Sequence, residues 1–302
     1  MGLEQFRLFR LFFVFIMISN SLVWMKQLFT ISILGLLFCS CWHGSDSADE
    51  GKEDAVGDSV LAERDSLILF EEEEVPMSAD ELFDDFFFSF TTDQRFQMQR
   101  VAFPLKCKEG TDELVISREE WKEFNRFTTQ DFYSVIYERE SDMEIQKDTA
   151  VNEVSVDWIY LNEDYVERYN FVRSNNGQWQ LINFEKEETN DTPYASFANF
   201  YAKFASDSIF QRESIHFPLH VVAEAQGDVD EGGEAHLSPE EWFEFRQEMP
   251  MPEGVMTNIN YGQPSISQNR KILLVEGMSN GLYVKYKFDR TNGQWQLYEI
   301  EN

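Results

Sequence analysis

The sequence predicts an α+β protein made of two successive domains of one design, each with its helices first and a mainly antiparallel sheet after them. Three observations predict this. The stretch Asp93–Leu105 (DQRFQMQRVAFPL) returns at Asp207–Leu219 (DSIFQRESIHFPL), 114 positions later. Around it, Phe86, Phe87 and Phe90 fall on Phe200, Tyr201 and Phe204, and ISREEWKEF (Ile116–Phe124) falls on LSPEEWFEF (Leu237–Phe245) after about seven inserted residues. Both copies close on a matching hairpin, NNGQWQLINFE (Asn175–Glu185) and TNGQWQLYEIE (Thr291–Glu301). A period of roughly 115 residues exceeds the 20–50 of a solenoid unit and suits a small domain. The expected domains are 77–188 and 189–302.

Ahead of them the chain reads as an export signal and a tether. The apolar runs Leu11–Ile18 and Leu28–Phe38 are each short for a bilayer span. Met25-Lys26 followed by FTISILGLLFCSC has the charged start, apolar core and small residue (Ser40) of a secretory signal. Met25 is therefore the expected true start, with 1–40 removed. Leu-Leu-Phe-Cys-Ser-Cys resembles a bacterial lipobox, which makes Cys41 the expected lipidation site. Phe38 stands where such motifs usually carry Leu. An ordinary secretory signal and a transmembrane anchor are the alternatives. Residues 42–75 hold twelve acidic side chains against Lys52 and Arg64, so self-repulsion predicts a solvated tether over 41–76.

Each domain then opens on an aromatic helix, expected over Leu82–Phe90 and Phe197–Phe204, with apolar residues recurring at three and four. Ser78-Ala-Asp-Glu81 reads as a capping box for the first, and Thr192-Pro193 as the start of the second with proline at the first helical position. Asp93 and Asp207 are expected N-caps of a second short helix. Phe-Pro-Leu should end that helix and launch the first strand, because proline disfavours helical geometry in the residue before it. Ser117-Arg-Glu-Glu120 and Ser238-Pro-Glu-Glu241 are capping boxes, and Trp121 and Trp242 at the fourth helical position are assigned to packing.

Strands are expected at Val154–Leu161, Val166–Val172, Ile272–Val275 and Leu282–Phe288, and the closing hairpins fix a register. The two-residue loop Asn292-Gly293 pairs Arg290 with Trp295 and Phe288 with Leu297. In the first copy the three-residue loop Asn175-Asn176-Gly177 absorbs the extra residue, so Arg173 faces Trp179 and Phe171 faces Leu181. Each Arg–Trp pair is an expected cation–π contact.

Few residues announce chemistry. His43, His216, His220 and His236 lie in no zinc spacing with cysteine, and Pro218 keeps His216 and His220 off one helical face. Asp228–Glu234 resembles a calcium loop but has Gly232 at an oxygen-ligand position, so it reads as an acidic surface loop and no metal is expected. No cofactor motif is present, and Cys107 reads as a small buried hydrophobe. The net charge is −30; the first forty residues contribute +2 (Arg7, Arg10 and Lys26 against Glu4), leaving about −32. Such a chain repels nucleic acid.

At FASDSIFQRESIHFPL and the two S-x-E-E-W segments the sequence resembles the bacterial lipoprotein family known as domain-of-unknown-function family 4348, typical of Bacteroides-like bacteria. The likeness covers most of 78–302. It implies a fold similar to nuclear transport factor 2, a cystatin-like cone of helices on a strongly curved sheet, and carries over no catalytic residue. The two domains are expected to pack as a pseudo-dimer, because each such cone exposes an apolar sheet face that a partner should cover. The expectation is a lipid-anchored envelope protein, in the outer membrane or on the surface of a Gram-negative bacterium. Its partners are the membrane and a small molecule, glycan or protein, and its role is binding rather than catalysis, because the repeated polar residues are absorbed by caps and turns. The alternative is a small-molecule lyase or isomerase, for which Asp157, Asp164 and Tyr165 are the candidate groups.

Overall fold

The computed structural model describes residues 80–302 apart from 124–126, 128–129, 224–231, 266–267 and 279. Met25, Cys41, Ser78, the tether and most of the Asp228–Glu234 loop lie outside the described residues. The first repeat runs α1 (Phe83–Thr92), α2 (Gln94–Arg100), β1 (Val101–Glu109), β2 (Asp112–Ile116), α3 (Arg118–Glu123), β3 (Phe132–Tyr137), a 3-10 segment (Glu140–Lys147), β4 (Glu153–Tyr160), β5 (Tyr165–Arg173) and β6 (Trp179–Glu188). After a 3-10 turn (Thr189–Asp191) the second repeats it as α4 (Ala195–Ser206), α5 (Ser208–Glu213), β7 (Ile215–Ala223), β8 (Gly233–Leu237), α6 (Pro239–Arg246), β9 (Val255–Asn260), β10 (Arg270–Gly277), β11 (Tyr283–Thr291) and β12 (Gln294–Glu301).

The two six-stranded sheets have the same order, β2-β1-β6-β5-β4-β9 and β8-β7-β12-β11-β10-β3. Each is antiparallel except for β1 beside β6 and β7 beside β12. The last strand of each sheet belongs to the other repeat: β9 pairs with β4, and β3 pairs with β10. The exchange passes through an internal pseudo-twofold at Ser134 and Thr257, equivalent positions of β3 and β9. The Ser134 N–H donates to Thr257 Oγ1 (2.6 Å), Ser134 Oγ donates to the Thr257 carbonyl (2.7 Å), and Thr257 Oγ1 donates to the Ser134 carbonyl (3.1 Å). Five of six residues in β3 are buried, as are four of six in β9. Strands covered on both faces read as apolar runs without alternation.

Inside each sheet's curve lies an aromatic cluster. Phe83, Phe86 and Phe90 of α1 present their rings edge-on to Phe171 of β5, with centroids 5.4, 5.7 and 5.3 Å away. Phe197 and Phe204 of α4 do the same to Phe288 of β11, at 5.2 and 5.5 Å. Edge-to-face geometry sets the positive ring edge against the negative face.

The hairpin registers are as expected, Arg173 opposite Trp179 and Arg290 opposite Trp295, with the guanidinium carbons 6.0 and 5.9 Å from the ring centroids. Asp93 and Asp207 cap α2 and α5, each accepting from two backbone N–H groups. Both Ser–Glu capping boxes form, and Trp121 and Trp242 are buried, as is Cys107.

Three expectations need correction. The helix α1 starts at Phe83 with Leu82 as an N-cap that makes no side-chain bond, beyond the expected Ser78–Glu81 box, and the nearby Asp80 carboxylate is engaged by Arg100 and by the Trp179 N–H. The helix α4 starts at Ala195, after Pro193, because Thr192 is spent closing the 3-10 turn with its hydroxyl on the Thr189 carbonyl (2.7 Å). Phe-Pro-Leu does not launch the first strand. The strands β1 and β7 begin at Val101 and Ile215, and cis Pro104 and Pro218 lie within them, where the pairing with β6 and β12 shifts register.

Candidate functional site

The exchange brings both repeats to one cavity of about 230 Å³. Helix α1 supplies Asp84 and Phe87, β3 supplies Tyr133 and Val135, and the 3-10 segment supplies Gln146; from the second repeat come Ile259 and Tyr261 at the end of β9, and Glu276 of β10. Asp84 stands on α1 one turn from Phe87 and Phe88, so the helical stripe that fills the core also carries a carboxyl to its edge.

Tyr261 is held from three sides. Its backbone N–H donates to Gln263 Oε1 (2.7 Å), its ring lies 6.1 Å from Phe83, and its hydroxyl donates a short hydrogen bond to Asp84 Oδ1. Gln146 Nε2 donates to Glu276 Oε2 (3.3 Å). Phe87 and Tyr133 meet edge-on at 5.1 Å and form the aromatic wall. No lysine or arginine is among the residues lining the cavity.

The electrostatics follow from burial as the largest cause. Desolvation pushes the Asp84 carboxyl up to about 6; the Tyr261 hydrogen bond pulls it partly back, and the charges of Glu276 and Asp85 push it further. Burial also raises the Glu276 carboxyl, against the opposing pull of Gln146 and Lys147. The Tyr133 hydroxyl is pushed up to about 12 by burial. Burial and then the Asp84 charge raise Tyr261 well above its ordinary range, so it stays a donor. The cavity thus holds a carboxyl able to give or take a proton near neutral pH, oriented by a tyrosine.

Because the Asp84 carboxyl is raised on folding, the stability it permits is fully present below about pH 3.8 and is lost as pH rises through about 6. The shift corresponds to about 3 kcal/mol. Asp84→Asn keeps the shape of the neutral acid without the ionisation. Denaturant unfolding should therefore show the variant matching wild type at pH 4 and exceeding it by about 3 kcal/mol at pH 8.

The polar groups belong to one of the two quasi-equivalent positions. In the other repeat Asp84 is replaced by Ala198, 114 residues later. Glu276 pairs across the sheet with Tyr133, and the corresponding pair is Ile159 with Met256. Tyr261, next after β9, corresponds to Glu138, next after β3. Ala198, Ile159 and Met256 are buried in the apolar core of the second half.

The groups singled out in the sequence do not converge. Asp157 is buried on β4, paired with Arg168 (Nε to Oδ1, 2.7 Å), and it accepts from the Tyr194 hydroxyl (2.6 Å). Asp164 is exposed in the β4–β5 turn with φ of 56°. Tyr165 stacks on Tyr160 at 4.4 Å, with Lys186 Nζ 4.3 Å from its ring. None of the three lines the cavity, because β4 turns Asp157 toward Arg168 and the turn holds Asp164 in solvent. His220 pairs with Glu299 (2.8 Å) and lies beside His236, its neighbour across β7 and β8. Among the described residues no cluster could hold a metal ion. Sequence reading missed Asp84, Gln146, Tyr261 and Glu276. One signal was available, a carboxylate at a position where the aligned repeat has alanine.

Residues 63–302 match the protein family described as "Domain of unknown function (DUF4348)". The chain belongs to that family. It is similar to an NTF2-like protein from Bacteroides fragilis NCTC 9343, whose crystal structure superposes with a TM-score of 0.68 at 35% identity, covering 75% of this chain and 98% of that one. The curved sheets with helices in their concavity are therefore NTF2-like domains in tandem. No curated protein matches the chain.

Proposed function

We propose that this protein binds a small organic molecule in the cavity between its repeats, and that it does so as a lipid-anchored protein of the bacterial envelope. The observation that carries the binding reading is the cavity itself. It is lined by rings and aliphatic side chains and by the carboxyls of Asp84, Asp85 and Glu276, with no lysine or arginine among the lining residues. Apolar walls with a few convergent polar groups are the usual constitution of a ligand site. At about 230 Å³ it has room for roughly eight water-sized groups at about 30 Å³ each.

The anchoring reading is supported by the signal-like run ending at Cys41, the small Ser40 before it and the acidic stretch 42–75 after it. Lipid chains on Cys41 would make attachment stable, at about 0.8 kcal/mol for each buried CH₂. Val135→Phe, which fills the cavity from β3, should abolish hits from a thermal-shift screen of small molecules while the protein stays folded. Hits that persist in that variant would place binding elsewhere. Cys41→Ala should move the protein from washed membranes to the soluble fraction; unchanged fractionation would remove the anchor.

A second reading is favoured by one observation, the Asp84 carboxyl poised at about 6 against Tyr261. Such a pair can move a proton next to a bound carbonyl, which is lyase or isomerase chemistry. Deuterium exchange into small carbonyl compounds, present with wild type and absent with Asp84→Asn, would decide for catalysis over binding alone.

A further inference from the structure

We propose that the cavity takes a primary amine in its ammonium form carrying a compact apolar body, an inference that rests on the binding reading above. Three independent features carry it. Asp84 and Glu276 enter from opposite repeats with no lysine or arginine among the lining residues. Burial raises both carboxyls, and the Glu276 charge raises Asp84 further, a cost that a bound cation removes. The Tyr137 hydroxyl supplies the second feature. It is fully buried and has no hydrogen-bond partner among the described residues. It lies on the same face of β3 as the lining residues Tyr133 and Val135, since alternate residues of a strand share a face. It is also close enough to Asp84 and Glu276 for both to act on it. Third, the Phe87 and Tyr133 rings give the ligand's body an apolar wall and an ammonium a favourable π surface.

The count of groups selects a primary amine. An ammonium offers three N–H donors and no acceptor, and the cavity offers the carboxyls of Asp84, Asp85 and Glu276, with the Tyr137 hydroxyl near two of them. A carboxylate ligand would meet like charge, and an alcohol would leave the carboxyls uncompensated. Binding must also follow pH. The groups facing Asp84 are Asp85 on its own helix, Glu276 from β10 and Tyr261 beyond β9, with Lys147 acting on Glu276. Of these, the Asp84 carboxyl changes charge near pH 6, so an amine that stays protonated should bind tighter above that pH than below it.

Calorimetric titration of the detergent-solubilised full chain with benzylamine, benzyl alcohol and benzoate at pH 7.5 and pH 5 tests this. Benzylamine should bind about tenfold or more tighter than benzyl alcohol at pH 7.5, a preference expected of a charge-assisted contact, and the preference should shrink at pH 5. Asp84→Asn should remove both the preference and its pH dependence. Tyr137→Phe should weaken benzylamine several-fold and leave benzyl alcohol unchanged. Benzyl alcohol or benzoate binding as tightly as benzylamine would overturn the amine assignment and leave the cavity as a ligand site. Absence of binding by all three would overturn both readings.

Discussion

Replacing Phe171 by alanine is expected to cost about 3–5 kcal/mol of folding stability, the range for losing a buried phenylalanine and leaving its cavity. Phe171 is 1% exposed, and four phenylalanines of α1 gather round its ring, Phe87 among them at 6.0 Å. Each edge-on pair adds about 0.5–1.5 kcal/mol beyond burial, so the upper part of the range applies. The exchange of β3 and β9 sharpens the expectation. Because each sheet ends on a strand of the other repeat, neither repeat can lose its core while the other keeps a complete sheet. Phe171→Ala and its counterpart Phe288→Ala should each lower the midpoint of one shared unfolding transition in guanidinium. Two separated transitions, with one midpoint unmoved by each variant, would contradict the exchanged topology.

Asp80→Ala should be of similar size, about 3–5 kcal/mol, for an electrostatic reason. Arg100 Nη2 lies 2.8 Å from Asp80 Oδ2 and Nη1 lies 3.1 Å from Oδ1, and the two residues are 3% and 5% exposed. The same carboxylate accepts the Trp179 N–H (3.1 Å), fixing the start of β6 to the segment before α1. Removing it strands a guanidinium in a water-poor site, which costs far more than the intact pair contributes. The double variant Asp80→Leu with Arg100→Met should therefore recover much of the loss, since apolar side chains can replace a buried pair at little cost. Equal losses in single and double variants, read from denaturant midpoints, would show that packing and not charge sets the effect. Repeat two has Tyr194 and Ser214 at these positions, so the pair belongs to the first repeat alone.

How much was legible in the sequence follows from the range of each signal. Caps and hairpin registers are local. Asn292-Gly293 sets Arg290 opposite Trp295 whatever the rest of the chain does, and Asp93 reaches only as far as Arg95 and Phe96. The duplication is visible because whole segments recur in order. The exchange was not legible. Phe132–Tyr137 and Val255–Asn260 are both largely buried strands, and each could pair with either β4 or β10 on pattern alone. Only the three-dimensional crossing at Ser134 and Thr257 decides between them. The site inherits that limit, since Asp84, Tyr261 and Glu276 are far apart in the chain and meet through the exchange. Asp84 itself is masked in the sequence by the phenylalanines around it, which read as core.

The central claim is that Asp84 is a desolvated carboxyl in a ligand cavity, and its own titration tests this most directly. Followed by carbon-detected NMR of selectively labelled aspartate and assigned with Asp84→Asn, the Asp84 carboxyl carbon should titrate with a midpoint of about 6. In Tyr261→Phe the midpoint should rise, because the hydroxyl that holds it down is gone. A midpoint near the ordinary 3.8 in wild type, unmoved by Tyr261→Phe, would show a solvated surface carboxyl and contradict the account.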